Sequence, residues 1–600
     1  MTLFYGAIGL ALCVSLAGFS WPEKSRIELL NKIVLSSAKS MWLSWLLVFL
    51  SYWLNLGNLS FFILILVLVV TLWSLKRTTG ILVYFNFHTL LLLTILIVIG
   101  CILSPVSAIK SLADGQVVLS GWDVNASWNN WAIQLFNNTY HPYSAAYPIF
   151  IPGLWSLIYK AQGSPMIWVL SKFLLVVFPV IIILQNVMLA VAKRTVAAVL
   201  IFILLWGVIL NNSLLLSGLA DPIVMMLTLI SGIAIYLAGN ANQEDDQADH
   251  YTLSAALFAG VGAITKQPGV LSALIVGTAL LLIGLRGSKR LSWYIIRLLS
   301  LIVPMITFMH IFSTATAQPE PLGNLTHLMN LATSASAGGS IYMHSWTNVI
   351  SMFGKFPLFL MLTFAAFNLI ALKRTLNQIG LIYLLGAGIA FVVYSNCCSY
   401  DERNGWFLIA MLGVSAICGA SIFESGVIKE LLSLRKIASF FSKWRCKWAF
   451  NTRTLTVARF QLLAIVFTVI FSGLLQFFVG EQRFINIAKE GRRNIVWPTV
   501  NNLIYATLDT LGDGVIITNY QFVNILPDIE SRYKMCANIE CVLDTAEKFP
   551  GSRVLIGPDS FDYPTLRTYL KPEDYLLTEV NHGFSITRSL TQSDLELIRK

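Results

Sequence analysis

The chain has 600 residues, of which 56% are hydrophobic and only 12% are charged, and its mean hydropathy is +0.72. Soluble domains carry about 25% charged residues, so this composition excludes a soluble globular protein and indicates a polytopic membrane protein. The net charge of +11 does not indicate nucleic-acid binding, because the basic residues stand in short clusters between apolar runs, as they do in cytosolic loops.

Apolar runs long enough to cross a bilayer recur along the chain before residue 480. A span needs about 20 apolar residues, and about fourteen runs are candidates. They lie near 2–20, 41–56, 59–75, 82–104, 166–192, 195–212, 222–239, 252–265 and 268–285, in a run ending near 312, on either side of Lys373-Arg374, after Trp406 and near 459–479.

The distribution of Lys and Arg predicts the orientation. The loops that start near 21, 76, 193, 286, 373 and 425 together hold about twenty of them, so these loops are expected in the cytosol. The long loop 105–165, the polar loop 313–346 and the C-terminal tail are then expected on the far side. Two glycosylation sequons, at Asn125 and Asn137, lie in the loop 105–165, so a bacterial inner membrane with a periplasmic loop fits better than an endoplasmic reticulum.

The tail from about 480 changes character and predicts a small periplasmic α/β domain. Val515–Thr518, Arg553–Gly557, Tyr575–Leu577 and Gly583–Thr587 read as short strands with helical patterns between them. The tail has no nucleotide fingerprint and no Ser-His-Asp signature. Two domains are therefore expected, a transmembrane one over 1–479 and a periplasmic one over 480–600. Its Cys536 and Cys541 pair if this part lies outside the cytosol, and the sequence leaves that pairing open.

One polar and aromatic stretch stands out in the loop 105–165. In a helix, Asp123, Ser127, Asn130 and Gln134 form a polar stripe. A parallel apolar stripe, suited to lying at a bilayer surface, consists of Val124, Trp128, Trp131 and Leu135. Two interpretations stay open from spacing alone: an interfacial helix with a solvated Asp, or a catalytic loop.

Further charged residues are expected on the same far face, at the ends of spans. They are Asp221, Lys266 and the run Asp401-Glu402-Arg403. Each has a structural alternative: Asp221 as a helix cap, Lys266 as a snorkelling residue and the run as mutual ion pairs. Cations at headgroup level suit a lipid phosphate, and a carboxylate suits proton removal from an attacking hydroxyl. The pattern favours glycosyl transfer from a lipid-phosphate sugar.

Several segments resemble a known family. Gly121-Trp122-Asp123, Trp128, Trp131-Ala132 and Tyr147–Pro152 resemble the first outer loop of bacterial membrane glycosyltransferases of the GT-C superfamily, in the branch related to protein O-mannosyltransferases and lipid A aminoarabinose transferase. Three further segments of the chain resemble later turns of that group. They are 217–222, 265–269 and 401–404. The resemblance covers roughly 105–410. The chain departs from the mannosyltransferase pattern at Val124, where those enzymes have a second carboxylate.

The resemblance implies an inverting glycosyltransferase. It would move a sugar from a polyprenyl-phosphate donor to a periplasmic glycan, lipid or protein. Asp123 is implied as the catalytic carboxylate, and Lys266 and Arg403 as ligands of the donor phosphate. Weaker substrate contacts are expected from Trp122, Asn130, His141, Tyr147, Asp221, Asp401 and Glu402. No cofactor is expected. A divalent metal, as in oligosaccharyltransferases of the same superfamily, would need Asp123 with Asp221 or Glu402.

Two other functions remain alternatives. An O-antigen-type polymerase or ligase acting on a diphosphate-linked glycan is expected to rely on arginines in its outer loops, where this chain has little beyond Arg403. A transporter or flippase of lipid-linked sugars is expected to show inverted repeats and charges in the middle of spans. Here no repeat is evident, and the charges stand at the ends of spans.

Overall fold

A computed structural model gives the architecture of the chain. It describes residues 26–55, 123–140, 148–165, 168–209, 217–241, 246–316, 340–370, 374–398, 402–424, 498–511, most of 514–556, 575–579 and 584–599, together with short pieces such as 84–85 and 455–456.

The described part is mostly helical. Seven of its helical segments are long and apolar enough to cross a membrane, or eight if one bent pair counts as a span, which makes the chain a multi-pass membrane protein. The helices are α1 Arg26–Trp53, α2 Asn129–Phe136, α3 Phe150–Gln162, α4 Val169–Val191, α5 Thr195–Leu204, α6 Ala220–Asn240, α7 Asp246–Ala263, α8 Pro268–Arg286, α9 Leu291–Thr316, α10 Ser340–Phe353, α11 Lys355–Ala366, α12 Thr375–Val393, α13 Trp406–Glu424, α14 Pro498–Thr510, α15 Ile539–Lys548 and α16 Gln592–Arg599.

The first predicted boundaries need correction. Helix α1 starts at Arg26, well before the span expected at 41, and its apolar part runs over Leu30–Trp53. No Gly or Pro interrupts this segment, and Lys32 donates to Glu28 one turn earlier at 2.8 Å, which supports the helix where a loop was expected. The spans predicted at 59–75 and 459–479 lie outside the described residues, as does most of 2–20.

A short strand pair lies where another span was expected. Strand β1, Tyr84–Phe85, pairs antiparallel with β2, Leu455–Thr456. The sequence pattern placed the start of a span near 82, so the prediction is wrong at these two residues. The rest of 82–104 lies outside the described residues.

The span predicted before Lys373-Arg374 is broken in two. Helices α10 and α11 meet at an angle of 102° around Gly354, whose φ of 76° lies in the left-handed region that favours glycine. The apolar pattern continues through the break, so hydropathy alone reads the pair as one span. The bend turns α10 across the end of the bundle, whereas α11 follows α13.

One end of the bundle is fastened by a carboxylate at the end of α13. Glu424 accepts hydrogen bonds from the backbone N–H groups of Val196 and Ala197 at 3.1 Å each, and from Tyr236 Oη at 2.7 Å. Arg194 Nη1 lies 3.8 Å from the same carboxylate. Glu424 thereby satisfies open N–H groups at the start of α5 and joins that helix to the last turns of α6 and α13. This end of the bundle is called the inner end below.

Most basic side chains of the described membrane part gather at the inner end. Lys289 and Arg297 lie 3.0 and 3.8 Å from Asp249, whose carboxylate also accepts from Trp293 Nε1 at 2.8 Å. Arg286 donates to Gln378 at 3.0 Å, which ties the end of α8 to the start of α12. The opposite ends of these helices form the outer end of the bundle.

The C-terminal part contains the small α/β domain that the sequence predicts. Its five-stranded sheet has the order β4-β3-β5-β7-β6, in which β3, β4 and β5 are parallel and β6 and β7 are antiparallel to their neighbours. The strands are β3 Ile516–Thr518, β4 Tyr533–Met535, β5 Arg553–Ile556, β6 Tyr575–Glu579 and β7 Phe584–Thr587. Strand β4 is the one that the sequence analysis missed, since its three half-buried residues show no apolar run.

A disulfide bond joins the two cysteines of this domain. Cys536 follows β4 directly, Cys541 lies in the first turn of α15, and their Cα atoms are 5.4 Å apart. The bond fixes the start of α15 to the edge of the sheet.

Candidate active site

The stretch around Asp123 is helical, but its first turn is wider than an α-helix. Asp123 is half-buried and stands directly before a π-helical turn, Val124–Trp128, which continues as α2. A π-turn hydrogen-bonds over five residues instead of four, so the predicted polar stripe does not stay on one line. Single π-turns inside helices occur frequently at functional sites. Nothing in the apolar spacing of this segment signals the wider turn.

The apolar stripe of this segment does not lie at a bilayer surface. Val124, Trp128, Trp131 and Leu135 are each at most 5% exposed, and the two indole rings pack edge to face at 5.1 Å. The prediction of a surface helix is therefore wrong. These side chains are covered by the protein itself, because α2 packs along α3. Asn130, a predicted substrate contact, is also buried, at 1% exposed.

Polar side chains of α3 hold α2 in place. Tyr159 Oη donates to Asn129 Oδ1 at 2.7 Å within the buried layer. Lys160 Nζ donates to Asn138 Oδ1 at 2.9 Å and to Ser51 Oγ at 2.8 Å, so it ties the end of the loop helix to the outer end of α1. Burial lowers the pKa of Lys160 to about 8. The position of Asp123 is thus set by a rigid support rather than by a free loop.

The turn before α6 packs against the loop helix. Gly218 has a φ of 98°, and a Cβ there would meet Val124 Cγ1 at 2.8 Å and Trp155 at 3.0 Å. Only glycine fits both the backbone and the space. This contact places Val124, the residue after Asp123, against Gly218. Asp221 follows Gly218 by three positions. Helix α6 starts at Ala220 with Leu219 as its cap, so Asp221 lies in the first turn and is not the cap.

Lys266 lies at the outer end and contacts two other elements there. Its Nζ forms a short ion pair with Asp221 Oδ1 and donates to Asn404 Oδ1 at 3.3 Å. The side chains of Lys266 and Asp221 are 16% and 9% exposed. Lys266 is held at the entrance of α8, where Gly269 touches the backbone of Gly262 so closely that no side chain fits. The snorkelling alternative is replaced by a defined polar cluster.

The turn that carries Arg403 borders this cluster. Residues Glu402–Gly405 form a 3-10 turn before α13, and the side chain of Asn404 reaches Lys266. Neighbouring Cα atoms are about 3.8 Å apart, so the backbone of Arg403 lies beside the cluster. Asn404 belongs to the segment 401–404 but had no predicted role, although an amide beside three charged residues at a helix start is a signal that could have singled it out.

The remaining predicted residues divide into two groups. Trp122, His141, Tyr147 and Asp401 lie outside the described residues, and for Glu402 and Arg403 the structure describes the backbone alone. Phe150, shortly after His141 and Tyr147, donates its N–H to the carbonyl of Ile264 at 2.8 Å, two residues before Lys266. The structure thus brings the segments around Asp123, Phe150, Lys266 and Asn404 to one end of the bundle.

One candidate ligand of a divalent metal already has a cationic partner. The candidate ligand Asp221 is engaged by the ammonium group of Lys266, and a second cation at the same carboxylate would be repelled. Among the described side chains, no group of three or more His, Cys, Asp and Glu residues is placed to hold a metal ion.

Similarity to known proteins is confined to overall structure. No family model matches the chain, and no curated protein matches its sequence.

The chain is similar to ArnT from Cupriavidus metallidurans bound to undecaprenyl phosphate, with 13% identity, a TM-score of 0.43 and coverage of 85% of this chain and 99% of that one. It is similar to the apo oligosaccharyltransferase of Archaeoglobus fulgidus, with 12% identity, a TM-score of 0.37 and coverage of 79% and 71%. A third structure is AglB from the same organism with an inhibitory peptide and a dolichol-phosphate, at 13% identity, a TM-score of 0.33 and coverage of 79% and 71%. Since all three TM-scores lie below 0.5, the proposals below rest on this chain's own residues.

Proposed function

We propose that the protein is an inverting membrane glycosyltransferase that moves a sugar from a polyprenyl-phosphate-linked donor to an acceptor hydroxyl. The transfer takes place at the outer side of the membrane that the protein spans. The observation that carries the proposal is the position of Lys266 between Asp221 and Asn404, at the outer ends of apolar helices. Charged groups at this depth are costly and are usually kept for function. A lipid phosphate is an anion that resides at this level of a bilayer.

In this proposal Lys266 and Arg403 bind the donor phosphate. Asp221 orients Lys266 and, with Asn404, keeps its ammonium group hydrogen-bonded before substrate arrives. Arg403, next to Asn404 in the turn before α13, supplies a second cation for the phosphate oxygens. Together these cations stabilise the charge that develops on the phosphate as the sugar leaves.

Asp123 is proposed as the general base. Its carboxylate accepts the proton of the acceptor hydroxyl, and the hydroxyl oxygen forms a bond to the anomeric carbon from the side opposite the phosphate. The bond between the anomeric carbon and the phosphate oxygen breaks, and its electron pair stays on the polyprenyl phosphate. The products are a glycoside of inverted configuration, polyprenyl phosphate and a protonated Asp123, which then returns its proton to water.

We assign the outer end to the periplasm and the inner end to the cytosol of a bacterial inner membrane. Support comes from the basic side chains at the inner end, among them Arg194, Arg286 and Lys289. A second line of support is the disulfide between Cys536 and Cys541, because such bonds persist in oxidising compartments. On that side soluble nucleotide sugars are absent, so the donor is lipid-linked. The acceptor is a periplasmic glycan, lipid or protein.

The test is a transfer assay with purified full-length protein in nanodiscs. A panel of radiolabelled polyprenyl-phosphate sugars, and in parallel one of polyprenyl-diphosphate-linked glycans, is incubated with a crude periplasmic glycan and lipid fraction, with and without EDTA. The proposal expects transfer from at least one donor, no loss with EDTA, and loss on the order of 100-fold or more in Asp123→Asn. Transfer by Asp123→Asn at the wild-type rate, or no transfer from any lipid-monophosphate donor while diphosphate-linked glycans react, would overturn it.

A further inference from the structure

A patch of aromatic and amide side chains covers the outer end beside the proposed phosphate site. The bend at Gly354 turns α10 across the bundle, so one face is buried and the other is open. Ser345, Asn348 and Val349 are at most 9% exposed, whereas Tyr342 and Trp346 are each 39% exposed. The whole helix, Ser340–Phe353, contains no Asp, Glu, Lys or Arg. A surface of this composition does not attract a phosphate or a carboxylate.

The patch is built by contacts between two elements, α10 and the end of α12. Asn348 Nδ2 donates to Tyr394 Oη at 3.2 Å, and Asn396 Nδ2 donates to Tyr342 Oη at 3.3 Å. His344 is exposed, and its Nε2 lies 3.5 Å from Asn348 Nδ2. The α10 patch is defined here as Tyr342, His344, Trp346 and Asn396, which lie over the buried side chains of Asn348 and Tyr394.

The α10 patch connects the bilayer surface with the Lys266 cluster. On one side Trp346 packs edge to face on Phe391 at 6.2 Å, next to Ile389 and Val392, which point outward from α12 with 55% and 49% of their surface exposed. On the other side Tyr394 touches Gly405, where a Cβ would meet its ring at 3.2 Å. Gly405 follows Asn404, the partner of Lys266. A π-helical turn, Tyr394–Cys398, forms the α12 part of the patch.

We infer that the α10 patch binds a neutral pyranose ring, namely the sugar headgroup of a lipid-anchored glycan that serves as acceptor. Aromatic faces are electron-rich and attract the C–H bonds on one side of a sugar ring. Amide, imidazole and phenol groups beside them bind hydroxyl groups. The outward apolar surface of α12 reaches the patch, so a ligand carried by a lipid tail arrives there directly. The role of this sugar as the acceptor rests on the proposed function, whereas the binding of the sugar to the patch does not.

Sugar binding is measured by saturation-transfer difference NMR on the full-length protein in nanodiscs, with a panel of methyl pyranosides as probes. Trp346→Ala is expected to weaken binding of the preferred glycoside about tenfold. Trp346→Phe, which keeps a ring, is expected to retain most of the binding. The matched control is Trp53→Ala, since Trp53 is another exposed indole at the outer end, 59% exposed on α1. It is expected to bind as the wild type does.

The outcomes separate the patch from the catalytic proposal. Wild-type binding in folded Trp346→Ala, as judged by an unchanged thermal unfolding midpoint, overturns the inference. Equal losses in Trp346→Ala and Trp53→Ala also overturn it, because both indoles would then act only as interfacial anchors. A protein that binds sugar through Trp346 but transfers none would refute the proposed function and leave the patch standing.

Discussion

The same two helices, α6 and α13, carry a polar cluster at each end, and the two clusters differ in how complete they are. At the inner end, the carboxylate of Glu424 accepts two backbone N–H groups and the Tyr236 hydroxyl and faces Arg194. At the outer end, Lys266 is shared between Asp221 and Asn404, and the backbone of Arg403 lies next to that pair. The inner cluster is complete, because its carboxylate is bound by donors that the protein itself supplies.

The difference separates a structural cluster from a functional one. Glu424 satisfies N–H groups that α5 exposes in any case, so its arrangement is explained by folding alone. Among the described residues, the outer cluster satisfies no comparable pair of backbone N–H groups at a helix start. A buried ion pair is by itself weak evidence for a stabilising role. An anionic ligand requires cations that are already oriented. Lys266 is such a cation, and Arg403, next to Asn404 in sequence, is a second one nearby. The comparison predicts that the inner cluster governs stability and the outer one governs activity.

The largest effect is expected on activity at the outer end. Lys266→Met alone would leave Asp221 as a buried carboxylate without its partner, so the informative variant is Lys266→Met combined with Asp221→Asn. The double variant is expected to fold and to lose kcat/KM on the order of 100-fold, because one phosphate ligand is missing. Steady-state transfer assays and a thermal unfolding curve check this. A double variant as active as the wild type would remove Lys266 from the mechanism.

The inner end is expected to show the opposite behaviour. Glu424→Ala leaves two N–H groups, the Tyr236 hydroxyl and Arg194 without their acceptor, and is expected to lower the free energy of unfolding by about 3 kcal/mol. The activity of the fraction that remains folded should match the wild type, and Glu424→Gln should recover part of the stability. The comparison fails if Glu424→Ala loses kcat/KM while its unfolding midpoint is unchanged.

A smaller effect on stability is expected from the disulfide of the C-terminal domain. Replacing Cys536 and Cys541 by serine opens a short loop and should cost about 2 kcal/mol of the stability of that domain. Because the bond requires an oxidising compartment, labelling with a membrane-impermeant maleimide should modify both cysteines in intact spheroplasts only after reduction. Labelling without reductant would contradict the disulfide, and absence of labelling after reduction would contradict the assignment of the outer side.

A pH dependence of stability is expected at Lys160. Burial lowers the pKa of Lys160 to about 8, so between about pH 8 and the usual lysine range the unfolded chain holds more protons than the folded one. Stability should therefore rise with pH across this window, as the cost of the buried charge is relieved. In Lys160→Met the rise should be absent. The difference between the two unfolding midpoints from pH 7.5 to 10 measures it, and a parallel course of both proteins would disprove the assignment.

The sequence predicted the elements that depend on local pattern. Hydropathy located the spans at 166–192, 268–285 and after Trp406, and apolar strands located β3 and β5. Sidedness predicted that Asp221 and Lys266 share one face, and the structure brings them into contact. That prediction was possible because the order of the spans along the chain decides on which side of the membrane each loop lies.

Features that depend on contacts between distant segments escaped the sequence analysis. The stripe of Trp128 and Trp131 fits a bilayer surface and a protein interface equally well, and only packing against α3 decides between them. The π-turn after Asp123 and the break at Gly354 arise where helices accommodate their neighbours. Asn404 gains its role only when the turn before α13 meets Lys266.

The most direct test of the central claim is the binding of polyprenyl phosphate to the outer cluster. Binding to purified protein in nanodiscs is measured for the wild type, for Lys266→Met with Asp221→Asn, and for Glu424→Gln as the control at the inner end. The wild type and Glu424→Gln should bind alike, and the outer-end double variant should bind at least tenfold more weakly. Equal binding by all three proteins would contradict the claim that Lys266 holds a lipid phosphate.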